Sequence, residues 1–321
     1  MPVTTTGRLP RIRDLDGNAA GWGFYLCARK ERRSGRNGTE YLDLVLQDVS
    51  GEIRAKAFQD VSALTQEFDA GEFVKVQGRG NVFNQRLELV LDKIRRVIPE
   101  RDAEDGFREE DAIPHAPRPI DEMWAELEAC LESVADPHIA GLLSRIVDEH
   151  RDQFRIWPAA QMVHHAYRGG LLEHVLQIIR VATFLAEAYG ARRDLVLAGA
   201  LLHDIGKLRE LSYDRATEYS VEGNLVGHIV LGVGMIRDAA REMDDFPETL
   251  RLEIEHLVLS HHGARELGSP VEPMTLEAFI LAAADDLDAT VHQVKKHVAD
   301  DDNDGPFTAY NRRLQRVIYK G

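Results

Sequence analysis

The sequence is short of cysteine, has no long apolar run, and holds too little positive charge to balance its acid. Cys27 and Cys130 are its two cysteines in 321 residues, too few for a disulfide framework and without the spacing of a thiolate metal finger. No apolar stretch approaches the roughly 18 residues that span a bilayer; the densest, Leu195 to Leu202, is far shorter, so no membrane partner is expected. The opening residues, MPVTTTGRLPRIRDLDG, lack the apolar core of a secretory signal. A reduced, cytoplasmic protein is the expectation. Hydrophobic residues at 44% and charged residues at 29% argue against wholesale disorder, and the length suggests about two domains at roughly 150 residues each.

The net charge is −15, which by itself argues against a nucleic-acid partner. The charge is unevenly spread. Residues 1–100 contain 16 Lys and Arg against 14 Asp and Glu, whereas the remainder holds 23 against 40. Such asymmetry predicts two modules with different tasks. An acidic module still acts on phosphates when bound metal ions supply the positive charge.

From about Gly7 to Pro99 the pattern is short alternating strands. GWGFYLCARKE sets Trp22, Phe24 and Leu26 against Tyr25, Cys27 and Arg29; EYLDLVLQD sets Leu42, Leu44 and Leu46 against Tyr41, Asp43 and Val45; EIRAKAF sets Ile53, Ala55 and Ala57 against Arg54, Lys56 and Phe58. EFVKVQGRG and RLELVLDKI give two more strands, divided by Gly78, Gly80 and the Asn81–Asn84 stretch. Period-two alternation broken by Gly and Asn marks half-buried strands. Five strands in about 90 residues, with the helical VSALTQEF between the third and fourth, suit a small OB-fold β-barrel. ERDAEDGFREEDAIPHAPRP, residues 100–119, is charged, proline-bearing and aperiodic, and reads as a linker. From Ile120 to the end, apolar residues recur at three and four, which predicts an all-α module, with Asp194 as a helix N-cap. The fold class is therefore β plus α in two domains, 1–99 and 120–321, with no internal repeat and no low-complexity tract.

The helical module carries an unusual series: His174 in GGLLEHVLQ, His203-Asp204 in ALLHDIGK, His228 in LVGHIVLG, His261-His262 in LSHHG and Asp285 in LAAADDLDA. A lone histidine is most often a satisfied core or surface group, and His138, His150, His292 and His297 are assigned so. Each member of the series, however, lies in or beside apolar helical sequence, where an unpaired ionisable group is costly. Convergence on metal explains their burial together. Imidazole nitrogen and carboxylate oxygen suit divalent Mn, Fe, Co, Ni and Zn, and the absence of thiolates argues against a structural zinc site. Consecutive His203 and Asp204 project about 100° apart on a helix, so one metal uses both only at an element end, which Gly206 provides. The two oxygens of Asp204 suit a bridge between two metals about 3.5–4 Å apart, the spacing used for phosphoester hydrolysis.

The series H…HD…D resembles the HD-domain metal-dependent phosphohydrolases. The strings PAAQMVHHAYRGGLLEH, AGALLHDIGKLREL, EGNLVGHIVLG, LSHHGARELGSP and DDLDA look like the branch containing the YhaM-type 3′→5′ exoribonucleases, which also carries an N-terminal OB fold. The resemblance runs from roughly Gly7 to Ala289. It implies that His174, His203, Asp204 and Asp285 hold a first metal, and that Asp204, His228 and one or both of His261 and His262 hold a second. The adjacent Asp286 is the alternative to Asp285. Asp288 reads as a helix-surface group or as one that supports a ligand; His256 reads as supporting or structural, and His164 and His165 as candidates to touch substrate. Lys207 reads either as a solvated lysine at a helix end or, as the resemblance favours, as a catalytic cation on a non-bridging phosphate oxygen. Gly169-Gly170 and Gly206 read as backbone devices. Relatives that cleave cyclic dinucleotides have a Gly-Tyr-Pro signature after the HH pair; here that place reads GARELGSP.

On the outward face of the second and third strands, Tyr41, Arg54, Lys56 and Phe58 mix aromatic and basic groups, extended by Arg29, Lys30, Arg32, Arg33 and Arg36, with Phe83 and Arg86 in a later loop. OB folds bind single strands by stacking, worth about 1–3 kcal/mol per base, and by phosphate contacts, and acidic residues look sparse on this face. The residues and the resemblance together point to a metal-dependent exonuclease of RNA, with DNA as a further substrate; the 3′→5′ direction, the preference for single strands and Mn²⁺ as the leading ion of two are what the resemblance implies, with room for a homo-oligomer. The rivals are a phosphohydrolase of free nucleotides with a regulatory barrel, separated by polymer-length dependence, and a non-catalytic nucleic-acid-binding protein, against which the intact ligand series argues.

Overall fold

The computed structural model describes residues 7–35, 38–83, 86–160, 167–213, 217–299, 301, 303 and 305–321. Arg36, Asn84, His164 and His165, singled out above, lie outside the described residues. The chain forms two compact units: the first comprises the described residues up to His115 together with Tyr213, and the second the rest, from Ala116 to Ser212 and from Thr217 on.

The first unit is a closed barrel of β1 (Ala20–Ser34), β2 (Glu40–Asp48), β3 (Gly51–Ala57), β4 (Phe73–Phe83) and β5 (Arg86–Arg96), in the order β1-β2-β3-β5-β4, with α1 (Val61–Glu67) between β3 and β4. The alternation read from sequence is the inside of this barrel. Leu42, Leu44 and Leu46 are fully buried and stand opposite Ala57, Ala55 and Ile53 across the β2–β3 ladder; the two alanines facing leucines let a narrow barrel close around a filled interior. β1 serves two ladders, its first half against β4 and its second against β2, and the register shifts between Cys27 and Arg29. A bulge there bends the strand around the corner. Gly78 and Gly80 do not divide two strands as expected: β4 runs through both. A Cβ on Gly80 would collide with the carbonyl oxygen of Asp16, so the glycine admits the N-terminal segment against the strand.

Residues 100–119, expected as a linker, are partly folded. They contribute α2 (Pro99–Asp102) and α3 (Glu109–Ala112). Phe107, Ala112 and Ile113 cover Phe24, Leu26 and Phe73 on the outer face of the barrel. Asp102 is fully buried and accepts from both terminal nitrogens of Arg95, at 2.7 and 2.6 Å, and from the Ile98 amide at 2.8 Å. The Arg95 guanidinium holds its carboxyl well below the usual range. A few apolar residues spaced among charges give no period, so only the packing reveals them.

The second unit is helical: α4 (Ile120–Glu132), α5 (Pro137–Glu149), α6 (Arg151–Ile156), α7 (Gly170–Tyr189), α8 (Arg193–Leu202), α9 (Lys207–Glu210), α10 (Val221–Val226), α11 (His228–Arg241), α12 (Glu248–Ser260) and α13 (Leu276–Ala299). A short ribbon of β6 (Leu211–Tyr213) and β7 (Thr217–Tyr219) interrupts the otherwise all-α pattern. α7 packs against both α8 and α13, burying the apolar stripe from Leu171 through Ala186. Asp194 does not cap α8. It sits in the first turn, and its carboxylate instead accepts from the amides of Ala135 and Asp136, at 2.8 and 2.9 Å, ahead of α5. Asp136 is the working N-cap, accepting from His138 and Ile139 with Pro137 at the first helical position. Past α13, bridges between Phe307 and Tyr319 and between Asn311 and Arg316 fold the end of the chain into a hairpin. Asp301 secures this hairpin by accepting from Ala309 N at 2.7 Å and Lys320 Nζ at 3.0 Å. Among the described residues, no helix is long and apolar enough to cross a membrane.

Candidate metal centre

The side chains of the series converge from five places in the helical unit. His174 comes from the first turns of α7, His203 and Asp204 from the turn that ends α8, His228 from the start of α11, His261 and His262 from the end of α12, and Asp285 from mid-α13. One ligand atom each from His174, His203 and Asp285 lies within 4.8 Å of the others, and the same holds for His228, His261 and His262. Asp204 stands between the two groups. Its Oδ2 is 3.5 Å from His174 Nε2 and 3.4 Å from His203 Nε2, while its Oδ1 is 3.6 Å from His228 Nε2 and 3.9 Å from His261 Nε2. Each carboxylate oxygen thus faces a different group.

The turn that permits this depends on Gly206. A Cβ there would collide with the His228 carbonyl oxygen and lie 2.6 Å from the Gly232 amide nitrogen. The glycine is needed for close approach to α11, not for a left-handed backbone, since its φ is −63°. Gly169, by contrast, does take φ 77° where it leads into α7.

All five imidazoles are oriented the same way. The Nδ1 of His203 donates to Ala200 O at 2.9 Å, that of His261 to Val258 O at 2.6 Å and that of His262 to Leu267 O at 3.0 Å. A carbonyl oxygen only accepts, so each of these rings carries its proton on Nδ1 and presents a bare Nε2 lone pair. The Nδ1 of His174 faces Asp288 Oδ2 at 3.0 Å, and that of His228 faces Glu210 Oε1 at 3.0 Å. Outer oxygens that fix the tautomer are a recurring feature of metal-ligating histidines. The Nε2 atoms of His228 and His261 are buried with no hydrogen-bond partner. Orphaned buried nitrogens are costly unless something else satisfies them, so the residues present fit divalent metal.

Charge states agree. Burial pushes the His261 ring well below its ordinary value and lowers His262 too, which keeps both neutral as ligands must be. Burial alone would raise Asp204, but Lys207 and His203 outweigh it and hold the carboxylate ionised. His174 differs: burial disfavours its charge, yet Asp285 and Asp288 outweigh it and push the ring up to about 9, so a metal held there would displace a proton.

Lys207 Nζ lies 2.6 Å from Asp204 Oδ2, so it is neither a solvated lysine nor directed away from the site. Asp285, with Oδ1 3.4 Å from His174 Nε2, joins the group, while Asp286 is exposed. His256 accepts from the Met274 amide at 2.9 Å, a structural use. Glu210 went unnoticed in the sequence; its partner lies 18 positions away, and nothing local distinguishes it.

On the barrel, Tyr41 and Phe58 pair with ring centroids 5.5 Å apart, and Phe58 and Phe83 are 46% and 56% exposed. Lys56 Nζ sits 5.1 Å over the Phe83 ring and 2.6 Å from Glu88. Arg54 and Arg86 are exposed and have no carboxylate partner among the described residues. Two expectations are corrected. Lys30 donates to the carbonyls of Thr65 and Phe68 and lies 4.2 Å over the Phe68 ring, so it anchors the end of α1 and is not offered to a ligand. The face is also not poor in acid: Glu31 and Asp43 pair with Arg33, and Glu88 with Lys56, because strand alternation puts them on this side. Arg29 remains half-buried, 3.7 Å from Glu31.

Comparison with known proteins agrees with this architecture. Residues 171–290 match the family model of the HD domain, and residues 24–97 that of the OB-fold nucleic acid binding domain. An HD domain implies dependence on divalent metal, and the two clusters are placed to bind it. The chain is 36% identical over 261 residues to the 3′-5′ exoribonuclease YhaM of Bacillus subtilis (strain 168), covering 81% of this chain and 82% of that protein. It is 36% identical over 267 residues to the same-named protein of Bacillus velezensis, covering 83% of each. Among solved structures, the second OB-fold domain of replication protein A from Methanococcus maripaludis matches 28% of this chain and 95% of that one, at 23% identity and a TM-score of 0.24. With an OB-fold barrel preceding an HD domain and this identity over most of its length, the chain belongs to the YhaM family of 3′→5′ exoribonucleases.

Proposed function

We propose that this protein is a metal-dependent hydrolase that shortens single-stranded RNA from its 3′ end, with single-stranded DNA as a second substrate. The observation that carries the reading is the convergence of the Nε2 atoms of His174, His203, His228 and His261 on the two oxygens of Asp204, with His262 grouped beside His228 and His261. His174, His203 and Asp285 would hold one divalent ion and His228, His261 and His262 another, with Asp204 shared. Mn²⁺ is the ion we favour; Fe, Co, Ni and Zn suit the same donors. Ions bound there supply Lewis acidity and an activated water for in-line displacement at phosphorus.

The chain's own groups do the rest. Nδ1 hydrogen bonds hold the five rings in place, so no reorganisation is needed when charge develops. Lys207, beside Asp204, is the catalytic cation in reach of a phosphate oxygen. Residues to 99 bind the strand and those from 120 cleave it: Tyr41, Phe58 and Phe83 stack bases, and Arg54, Arg86 and Arg29 meet phosphates. All the proposed ligands come from one chain, so the site is complete in a monomer, and assembly into a homo-oligomer is compatible with it. The thiols of Cys27 and Cys130 are unpaired, in keeping with a reducing, cytoplasmic setting.

The test is a 5′-labelled single strand incubated with metal-free protein, then with added Mn²⁺, and resolved over time. The expected result is a ladder that shortens from the 3′ end only after metal is added. An intact strand beside hydrolysed free nucleotides would overturn this reading and support a nucleotide phosphohydrolase.

A further inference from the structure

The hairpin that ends the chain lies outside both the barrel and the metal centre, and its charge is opposite to that of its unit. Residues 305–321 hold Arg312, Arg313, Arg316 and Lys320 and no Asp or Glu, whereas residues 101–321 as a whole carry 40 acidic against 23 basic side chains. Lys320 is used internally, 3.0 Å from Asp301 at the hairpin's base. The three arginines are at the other end. Asn311 N donates to Arg316 O at 2.9 Å, and the Asn311 side-chain oxygen accepts from the Arg313 and Leu314 amides at 2.9 Å each, which forms a tight tip. Arg312, Arg313 and Arg316 are all exposed there. Arg316 Nε donates to the Leu314 carbonyl, and none of the three has a carboxylate partner among the described residues. Most other arginines of the helical unit do, as Arg118, Arg145, Arg151, Arg180, Arg192 and Arg237 show. Tyr310, beside the tip, is 61% exposed.

Exposed guanidinium forks without acid partners, next to an exposed aromatic ring, match a sugar-phosphate backbone with accessible bases. The hairpin is also held in a fixed relation to the metal centre. His297, on the last turn of α13, donates from Nε2 to the Ala309 carbonyl at 2.9 Å, and Asp285 lies twelve residues earlier on the same helix. At 1.5 Å per residue this is about 18 Å along the axis, beyond the span of a dinucleotide seated at the centre.

We propose that the hairpin tip, through Arg312, Arg313, Arg316 and Tyr310, is a second contact site for single-stranded RNA, engaging phosphates of the strand whose end occupies the metal centre. It rests on the nuclease reading for the identity of its ligand. The experiment compares the full-length protein with a variant combining Arg312→Ala, Arg313→Ala and Arg316→Ala. Binding of a long labelled oligoribonucleotide is followed against KCl concentration with EDTA present, so that no cleavage occurs. Each lost phosphate contact on a single strand lowers the slope of log affinity against log salt by about 0.7, so the slope should fall by about 2. The corresponding triple Lys variant should keep it. Hydrolysis of bis(p-nitrophenyl) phosphate with Mn²⁺ should be equal in all three proteins, which also shows that the variants fold. An unchanged slope would overturn the proposal and leave the nuclease reading intact. A change of mass by light scattering in place of a change of slope would also overturn it, and would make the tip a contact between copies. Failure of the parent protein to cleave the small diester would count against the nuclease reading alone.

Discussion

Asp204→Asn lowers turnover on single-stranded RNA by on the order of 10³-fold or more while leaving strand affinity within a factor of two or so. Asparagine keeps the shape and one carbonyl oxygen but removes the negative charge that faces both histidine groups, where Oδ2 approaches His174 and His203 and Oδ1 approaches His228 and His261. It also leaves the Lys207 ammonium, now 2.6 Å from that carboxylate, without its anion. Strand capture is assigned to the barrel, so it should survive. Initial rates with saturating Mn²⁺, and strand binding by anisotropy in EDTA, separate the two effects. Retained turnover would show that Asp204 is not at the heart of the chemistry.

The second large effect comes from a methyl group. Gly206→Ala places a Cβ against the His228 carbonyl oxygen and 2.6 Å from the Gly232 nitrogen. Both are backbone atoms that cannot swing aside. Either the turn carrying His203 and Asp204 or the start of α11 carrying His228 must move, and each shift spoils one side of the shared site. Overpacking of this kind costs about 3 kcal/mol, read from the denaturant midpoint, and activity should fall further than stability explains. Gly234→Ala on the same helix is the control. Its added Cβ meets nothing within 4 Å, and alanine is the better helix former by about 1 kcal/mol, so it should be neutral or stabilising.

The contrast between these two glycines shows what a sequence discloses. Gly206 reads as a backbone device and nothing in the sequence sets Gly234 apart; the neighbouring backbone is what separates them. The ligand series was legible because seven ionisable side chains lie in apolar helical stretches, where burial demands a shared reason. The barrel was legible for a similar reason: Leu42, Leu44 and Leu46 alternate without interruption. Groups whose meaning depends on a distant partner were not legible. Glu210 orients His228 across 18 positions with no local signal, whereas Asp288, read as a surface group or a support for a ligand, orients His174 across 114. The acid on the barrel face was misjudged in the same way, since Asp43 is in plain view in β2 but its pairing with Arg33 depends on the β1–β2 register. Phe107 and Ile113 likewise gave no pattern among charges, yet they cover the barrel's outer apolar face.

The central claim is that two ions share Asp204, and counting them tests it most directly. Metal-free protein titrated with Mn²⁺, with bound metal measured by elemental analysis and coupling by electron paramagnetic resonance, should take up two ions per chain. At full loading the spectrum should be that of an exchange-coupled pair, and Asp204→Asn should abolish the coupling. Saturation at one ion, or two ions with independent signals, would contradict the shared site.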